Sequence, residues 1–356
     1  MITDDTRKAI ECKVFWSYFW CGGILRWKLC ASGSVSAAHP GRFSEPTMIL
    51  CLNLNAAIDK TIVVPSFEIS KIHRPDSVLS LPGGKGCNVA RALKTLGETP
   101  VVTGWVGGFA GQFIETELPR EGIQTDFIHT DSESRTCTSI LDREKGTITE
   151  IYETGEAVPQ EKIEELRSHI RAILGNYKAI TLSGSLPAGV APDFYASIIE
   201  TAKQAGVLTF LDTSGAALRM GLEAGPFFIK PNETEARALL DLKTSDAIDF
   251  AQTVAEIAQK YQTNVLLSLG ARGAIAAREG ETFLIKNPSV DAKSAVGSGD
   301  CMLAGLTYGI LHGLSFEEAI TCGVAAGTAN TLTLGAGRFR IEDFARLRDQ
   351  VQMYKK

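Results

Sequence analysis

Four consecutive residues in the last fifth of the chain could perform chemistry on an anion. Gly297, Ser298, Gly299 and Asp300 precede the apolar stretch Cys301–Leu311, which has the composition of a buried helix. Glycines at a helix start let successive backbone N–H groups converge on a phosphoryl group, and the helix dipole favours its negative charge. Asp300 beside this anion hole could orient or deprotonate an attacking hydroxyl. The alternative is that Asp300 only caps a helix after a flexible turn.

A second glycine-rich segment could hold a small polar molecule. Residues 83–88 read Gly-Gly-Lys-Gly-Cys-Asn and lead into a helical stretch that Gly97 closes. The segment is not a Walker A loop, because no Ser or Thr follows its Gly-Lys pair, and it is not a GxGxxG fingerprint. Gly84 would let a polyol approach the backbone, and Lys85 and Asn88 would supply polar contacts. An ordinary turn is the alternative.

A third segment presents an amide and a carboxylate at a helix start. Residues 230–235 read Lys-Pro-Asn-Glu-Thr-Glu after a short apolar run. Because residues three apart share one side of a helix, Asn232 and Glu235 could together hold the water shell of Mg²⁺ beside the ATP phosphates. The alternative is a plain N-terminal cap with a glutamate at the favourable end of the dipole.

Two weaker patterns could belong to a nucleotide site. The first pattern is an apolar run that ends at Ser268 and Leu269 and is followed by a turn that contains Gly270 and Gly273. Small residues also recur on one face of the helix that the Ser315–Glu318 capping box opens, namely Gly323, Ala326, Gly327 and Asn330. Such residues usually indicate close helix packing, and an adenine ring resting on them is the alternative.

Three cations, Lys71, Arg74 and Arg135, fall in or beside two segments that fit a helix–strand alternation poorly. Each is more typical of a solvated surface charge when taken alone. Together near a sugar site they would favour a substrate that already carries phosphate.

The elements that must position these residues alternate between strand and helix. Apolar runs predict strands at 49–54, 100–105, 179–183, 208–212, 227–230 and 265–269. This order predicts an α/β fold, a three-layer α/β/α sandwich with a mainly parallel central sheet, whose ligand site lies beyond the carboxyl ends of the strands. Segments at about 58–80 and 134–154 are predicted to form a small β-sheet lid, the second of them a hairpin.

Composition narrows the class of protein and sets the first 47 residues apart. The 356 residues carry a formal net charge of −5 without a basic block, so neither nucleic acid nor membrane is an expected partner. Three of the four tryptophans lie within the first 30 residues. We interpret residues 1–47 as an atypical extension outside the fold, with a targeting signal or a structural addition as alternatives, and residues 48–356 as the working domain. Eight scattered cysteines indicate reduced thiols in the cytosol.

The motifs in this order resemble those of the PfkB family of carbohydrate kinases, which have a ribokinase-like fold. Five segments carry the resemblance: GGKGCN at 83–88, LSGSLPAG at 182–189, KPNETE at 230–235, SLGARGA at 268–274 and VGSGD at 296–300. Three further segments are similar to the 1-phosphofructokinase and tagatose-6-phosphate kinase branch: LNAAIDKT at 54–61, NVARALKTLG at 88–97 and SRTCTSI at 134–140.

The resemblance implies a role for each matching residue. Sugar hydroxyls would contact Asp59, Gly84, Lys85 and Asn88, and the substrate phosphate would bind Arg135 together with Lys71. Asn232 and Glu235 would serve the Mg²⁺–ATP site. The weaker patterns described above add Ser268, Gly270, Gly273, Gly327 and Asn330 as candidate nucleotide-binding residues. Gly297, Ser298 and Gly299 would form the anion hole, and Asp300 would be the base. Relatives in this branch often dimerise through their lids, so a homodimer is predicted.

The function predicted from these residues is an ATP-dependent cytoplasmic kinase that converts a ketohexose phosphate to the bisphosphate. Fructose 1-phosphate is the favoured substrate, with tagatose 6-phosphate or fructose 6-phosphate as alternatives. Three other functions stay open: a kinase of an unphosphorylated sugar or nucleoside, a sugar-phosphate-binding regulator without turnover, and a nicotinamide dehydrogenase. No GxGxxG follows the first predicted strand, which disfavours the dehydrogenase.

Overall fold

A computed structural model describes residues 48–241 and 248–356 of the chain. The strands are β1 Met48–Asn53, β2 Ala57–Val64, β3 Ser77–Gly83, β4 Thr99–Val106, β5 Gln124–Thr125, β6 Ile128–His129, β7 Arg135–Asp142, β8 Thr147–Tyr152, β9 Ala179–Ser183, β10 Leu208–Asp212, β11 Phe228–Ile229, β12 Asn264–Ser268, β13 Ala274–Arg278, β14 Glu281–Lys286 and β15 Gln352–Lys355. The helices are α1 Lys85–Thr95, α2 Gly108–Arg120, α3 Gln160–Ile173, α4 Phe194–Gln204, α5 Gly215–Glu223, α6 Glu233–Leu239, α7 Phe250–Tyr261, α8 Ser298–Leu311, α9 Phe316–Asn330 and α10 Ile341–Arg348.

The central sheet is parallel through its middle and antiparallel along one edge. Its strand order is β15-β14-β13-β12-β11-β10-β9-β1-β4-β5, and β6 also pairs with β4. Strands β4, β1, β9, β10, β11 and β12 are parallel, so their carboxyl ends lie along one edge of the sheet. From β12 to β15 the pairs are antiparallel. The predicted mainly parallel sheet is confirmed.

Strand β1 shows why the fold has three layers. Ile49 and Cys51 belong to one buried apolar cluster, whereas Leu50 and Leu52 belong to another. Successive side chains of a strand point to opposite faces, so the sheet is covered on both sides. Helices α1, α8 and α9 contribute to the first cluster, and α3, α4 and α7 contribute to the second. The predicted α/β/α sandwich is confirmed.

A separate four-stranded sheet forms from the two segments that did not fit the alternation. Its order is β3-β2-β7-β8, in which β2 and β7 are parallel and the outer pairs are antiparallel. Strands β7 and β8 form the predicted hairpin around the turn at 143–146. We call this small sheet the lid sheet.

The predicted strands are all present, although β11 is limited to two residues, Phe228 and Ile229. The predicted extension at residues 1–47 lies outside the described residues. Within residues 48–241 and 248–356, no helix combines the length and the apolar character needed to cross a membrane.

Candidate active site

The Gly297–Asp300 turn lies at the start of α8 and is held by close backbone packing. Gly297 has a φ of 80°, and a Cβ atom there would lie 2.6 Å from the Cα of Ala336, so both its conformation and its surroundings favour glycine. The N–H groups of the first turn of a helix have no carbonyl partner within that helix. The turn therefore offers backbone donors and the positive end of a dipole to an anion.

Asp300 is a buried carboxylic acid in the first turn of α8. Its side chain accepts a hydrogen bond from Nδ2 of Asn88 at 3.0 Å, and the residue is 5% exposed. Burial raises the pKa of Asp300 to about 6, against the charge of Lys85 and the Asn88 hydrogen bond, which lower it. A carboxylate with a pKa near 6 is ionised at neutral pH and is a better proton acceptor than an ordinary aspartate.

Asp59 approaches the same amide nitrogen of Asn88 as Asp300 does. The Nδ2 atom of Asn88 is 3.5 Å from Oδ2 of Asp59, so one amide faces both carboxylates. A Cβ atom on Gly83 would lie 2.2 Å from the Asp59 carboxyl carbon, so the chain approaches Asp59 closely at this glycine. Burial raises the pKa of Asp59, whereas Arg91 and Asn88 lower it. The predicted sugar-binding residues Asp59 and Asn88 are thus brought together with the predicted base.

Two lysines and a buried aspartate form a charge cluster beside the anion hole, in which Lys230 is buried and the Lys85 side chain is 39% exposed. Asp212 is 1% exposed and pairs with Nζ of Lys85 at 3.2 Å and Nζ of Lys230 at 3.3 Å. Burial raises the pKa of Asp212, but the two lysines outweigh it, and the pKa is lowered. A Cβ atom on Gly299 would lie 3.3 Å from Nζ of Lys230, which places this ammonium group against the anion hole.

Asn232 and Glu235 form a capping box at the start of α6. Asn232 Oδ1 accepts from the Glu235 N–H at 2.9 Å, and Glu235 Oε2 accepts from the Asn232 N–H at 2.8 Å. Both residues also line the cleft described below. Burial and the nearby Asp212 raise the pKa of Glu235. Each side chain keeps one polar atom outside the box, so capping and ligand contact are compatible.

The predicted nucleotide-site residues fall into two groups. Ser268, Gly270 and Gly327 line the cleft, and Ser268 forms a backbone bridge with Asn232. Gly273 and Asn330 do not line it. A Cβ atom on Gly273 would lie 2.1 Å from the carbonyl oxygen of Ile285, so this glycine serves the packing of β13 on β14.

Asn330 is fully buried behind the anion-hole turn instead of facing the cleft. Its Nδ2 donates to the Val296 carbonyl at 2.8 Å, and its Oδ1 accepts from the Arg338 N–H at 3.1 Å. Asn330 is therefore placed to support the turn that precedes Asp300.

Of the three cations predicted near the substrate phosphate, Arg135 alone lines the cleft. Its Nη1 donates to the Glu153 carbonyl at 3.0 Å and its Nη2 to the Asn55 carbonyl at 3.4 Å. Among the described residues, no carboxylate forms an ion pair with Arg135, although its charge lowers the pKa of Asp59. Lys71 and Arg74 are exposed in the loop between β2 and β3.

One cleft of about 1250 Å³ lies between the carboxyl ends of the central strands and the lid sheet, and it is lined by Asp59, Lys85, Asn88, Arg135, Lys230, Asn232, Glu235 and the Gly297–Asp300 turn. Typical pockets for small molecules measure about 300–1,000 Å³, so this cleft is large enough for two ligands. On its lid side, Asp59 is in register with Leu81 and Cys137, and Cys137 is in register with Tyr152, so one face of the lid sheet covers the cleft.

Sequence reasoning did not assign roles to Lys230, Asp212, Asn53 or Arg91. Lys230 follows β11 and Asp212 is the last residue of the neighbouring strand β10, where Leu211 is in register with Ile229, and the Lys230 N–H donates to the Leu211 carbonyl at 3.0 Å. Their positions at the carboxyl ends of neighbouring parallel strands are the signal that could have identified them. Asn53 ends β1 and accepts from the Gly86 N–H at 3.2 Å, so it supports the Gly83–Asn88 segment.

The anion hole and the lysines beside it suit a transferred phosphoryl group, and the buried carboxylate suits the hydroxyl group that attacks it. Fold and site together are those of a phosphotransferase that acts on a small hydroxyl compound. Comparison with known proteins gives the family: residues 52–342 match the model of the pfkB family carbohydrate kinases. The chain belongs to this family. The enzyme class predicted from the sequence, a kinase that uses ATP, is thereby confirmed.

The relatives include kinases of several sugar phosphates. A tagatose-6-phosphate kinase from Staphylococcus epidermidis is 32% identical over 311 residues, covering 86% of this chain and 99% of the relative. The structure of phosphofructokinase-2 from Escherichia coli in complex with fructose-6-phosphate has a TM-score of 0.78 at 26% identity, covering 85% of this chain and 99% of that one. A possible 1-phosphofructokinase from Thermotoga maritima also gives 0.78 at 26% identity, covering 87% and 99%.

Proposed function

We propose that this carbohydrate kinase phosphorylates a ketohexose phosphate to the bisphosphate, with fructose 1-phosphate as the preferred acceptor. The observation that carries the proposal is that one cleft holds a buried carboxylate beside an anion hole and, on its lid side, the unpaired cation Arg135. Tagatose 6-phosphate and fructose 6-phosphate fit the same chemistry and are the second candidates. The names of the relatives support a phosphorylated acceptor in general.

The reaction follows from the positions of the charges. The primary hydroxyl of the sugar attacks the γ-phosphorus of ATP in line with the leaving ADP oxygen while Asp300 accepts the hydroxyl proton. The Ser298 N–H donates to the Ala295 carbonyl at 3.1 Å, so the amides of Gly297 and Gly299, together with the Lys230 ammonium, stabilise the charge on the transferred phosphoryl group. Asp59 and Asn88 hold hydroxyl groups of the sugar, and Arg135 holds the phosphate that the substrate already carries.

Mg²⁺ is part of the proposal because the residues near the expected phosphates fit it. Mg²⁺ keeps several waters and takes few protein ligands. Asn232 and Glu235 each retain a polar atom beside the cleft. Among the described residues, no group of three or more His, Cys, Asp or Glu side chains could hold a metal ion. Asn232 and Glu235 would therefore act through water, and the metal would supply charge neutralisation of the phosphates.

The proposal includes a cytosolic location, where ATP is available. It also includes a homodimer formed through the lid. Large apolar side chains are exposed on the lid, since Ile69 is 88%, Ile72 is 92% and Ile151 is 59% exposed. A second copy would cover these side chains. Light scattering of the purified full chain tests this point, and a monomeric mass at micromolar concentration would contradict it.

The test of the function is ADP release by the full chain with ATP and Mg²⁺. Fructose 1-phosphate, tagatose 6-phosphate and fructose 6-phosphate are compared with fructose, ribose and adenosine. Preference for fructose 1-phosphate is expected. Preference for another ketose phosphate would correct only the named acceptor, and turnover with unphosphorylated acceptors alone would reject the role of Arg135.

A further inference from the structure

Arg91 is a buried arginine whose polar groups bind four different parts of the active-site frame. It lies on α1 and is 6% exposed. Its Nε donates to Glu121 at 2.7 Å, its Nη2 to the Pro82 carbonyl at 2.7 Å, and its Nη1 to Asn88 at 3.1 Å and to the Ala336 carbonyl at 3.0 Å. An arginine with this many short contacts is held in one orientation, because each lost donor would remain unsatisfied in the interior.

The contact with Asn88 determines which end of the amide faces the cleft. Nη1 of Arg91 can only donate, so it selects the oxygen Oδ1 of Asn88 as its partner. The amide nitrogen must then face the opposite way, toward Asp300 and Asp59. A flipped amide would place its oxygen against two carboxylates and its NH₂ group against a guanidinium, and both contacts would be repulsive.

The contact with Ala336 extends the same network to the anion hole. A Cβ atom on Gly297 would lie 2.6 Å from the Ala336 Cα atom, and a Cβ atom on Gly337 would lie 2.5 Å from the Asn88 carbonyl oxygen. The backbone at 336–337 is therefore packed between the Gly297 turn and the Asn88 turn. Arg91 holds this backbone through the Ala336 carbonyl. It also holds the first turn of α1 through Asn88 and the end of β3 through the Pro82 carbonyl.

We propose that Arg91 is a positioning residue for phosphoryl transfer: it fixes the orientation of the Asn88 amide and thereby aligns Asp300 with Asp59 and with the anion-hole turn. The inference rests on the proposed kinase function and deepens it. Arg91 acts through Asn88 and does not itself line the cleft.

The test is a double-mutant cycle in the full chain with Arg91→Met, Asn88→Ala and the combined variant. Misplacing a reacting group by about 1 Å can cost on the order of 10²-fold in rate, so Arg91→Met is expected to lower kcat by about 10- to 100-fold. In the Asn88→Ala background the same change is expected to lower kcat less than about twofold. Arg91→Lys, which keeps a charge but not the fork, should recover only part of the rate. Glu121→Gln, which keeps an acceptor oxygen for the Arg91 Nε and leaves the Asn88 contact in place, is the matched control and should stay close to wild type.

The dependence of kcat on pH is a second measurement, because a loss of folding stability would not shift its acidic limb. Asp300 is faced by Asn88, Lys85, Lys230 and Asp212. Loss of the oriented Asn88 hydrogen bond removes an influence that lowers the pKa of Asp300, so the acidic limb of kcat should move to higher pH in Arg91→Met and stay in place in Glu121→Gln.

A readout independent of turnover separates this inference from the proposed function. In protein labelled with ¹⁵N-asparagine, the Asn88 side-chain signal is identified by its loss in Asn88→Ala, and it should shift in Arg91→Met. An unchanged signal, or equal losses of kcat in both backgrounds, would overturn the positioning role even in an active kinase. A wild-type chain inactive with every acceptor would reject the proposed function instead. If Arg91→Met does not fold, Arg91→Lys serves for the same comparison.

Discussion

The side-chain amide of Asn88 donates a hydrogen bond of 3.0 Å to the carboxylate of Asp300, a residue 212 positions further along the chain. The bond joins the first turn of α1 to the first turn of α8, which carry the proposed sugar-binding amide and the proposed base. Since the same amide faces Asp59, the Asn88 side chain connects the proposed sugar-binding residue Asp59 with the proposed base Asp300. The behaviour of Asp300 is therefore the most direct test of the site.

Replacing Asp300 with asparagine should remove turnover and preserve binding. Asn keeps the size of the side chain but cannot accept the hydroxyl proton, and general-base catalysis contributes about 10²- to 10⁴-fold. We expect kcat to fall by about 10³-fold while calorimetry gives Kd values for ATP and sugar phosphate within about threefold of wild type. Asp349→Asn, an exposed aspartate, is the control. Turnover of Asp300→Asn near the wild-type value would exclude Asp300 as the base.

The activity should fall on the acid side of about pH 6. Burial raises the pKa of Asp300 to about 6, and the base works only when it is ionised. A sugar phosphate also titrates with a second pKa of about 6, so kcat/KM alone is ambiguous. The acidic limb should therefore persist in kcat at saturating substrate, where binding no longer limits the rate. A flat kcat between pH 5 and pH 8 would contradict the raised pKa of Asp300.

The Asp300→Asn substitution should stabilise the folded protein at neutral pH. The folded-state pKa of Asp300, about 6, lies above the reference value of 3.8, so the stability that this group contributes is fully present below about pH 4 and is lost as the pH rises through 6. A neutral asparagine does not carry this cost. We expect the free energy of unfolding to increase by about 1–3 kcal/mol at pH 7.5. Thermal unfolding at pH 7.5 and pH 4 measures it, and a gain of equal size at both pH values would show that ionisation of Asp300 is not the cause.

Much of this architecture could be predicted from local sequence. The strands follow from apolar runs whose two faces are both buried, as in β1, and the hairpin β7–β8 follows from its turn residues. The spacing of Asn232 and Glu235 at a helix start allowed a capping box as the alternative to a metal site, and the capping box is present at the start of α6.

Two predicted positions, Asn330 and Gly273, and one pair without a predicted role, Lys230 and Asp212, show what spacing cannot decide. Asn330 recurs at helical spacing with Gly327, but α9 presents Gly327 to the cleft and Asn330 to the backbone behind the anion hole. Gly273 was grouped with Gly270, yet its close contact with Ile285 depends on the β13–β14 pairing. Lys230 and Asp212 meet because two parallel strands are neighbours in space, and strand order is a tertiary property that no short motif contains.

Replacing Arg135 with alanine should weaken binding of the phosphorylated acceptor specifically. Arg135 lines the cleft, and no carboxylate among the described residues pairs with it, so a substrate phosphate is its natural partner. A hydrogen bond to a charged group contributes about 1.5–3 kcal/mol, so KM for the sugar phosphate should rise by about 10- to 100-fold while KM for ATP changes little.

Arg143→Ala is the matched control for this change, because Arg143 is an arginine beside the same lid sheet that pairs with Asp76. It should leave both KM values near wild type. An equal rise in the KM for ATP and for the sugar in Arg135→Ala would indicate a general disturbance of the cleft and not a phosphate contact.

Lys230→Met tests whether the charge cluster acts on the phosphoryl group. Its ammonium lies against Gly299 and 3.3 Å from Asp212. Removing one charged group from a preorganised anion site lowers kcat by about 10²- to 10³-fold. The loss of a partner for buried Asp212 should also destabilise the fold by about 1–3 kcal/mol. Steady-state kinetics and thermal unfolding measure the two effects, with the surface change Lys162→Met as control.

The double variant Lys230→Met with Asp212→Asn separates these two effects. It removes the buried Lys230 ammonium together with the buried Asp212 carboxylate, and Lys85, which also loses its Asp212 contact, is 39% exposed at its side chain and can be solvated, so the stability should return toward wild type. The rate should stay low, because the transferred phosphoryl group still lacks the Lys230 charge. If kcat instead recovered together with the stability, Lys230 would serve only to neutralise Asp212, and the charge acting on the phosphoryl group would have to come from Lys85 and the backbone amides of α8.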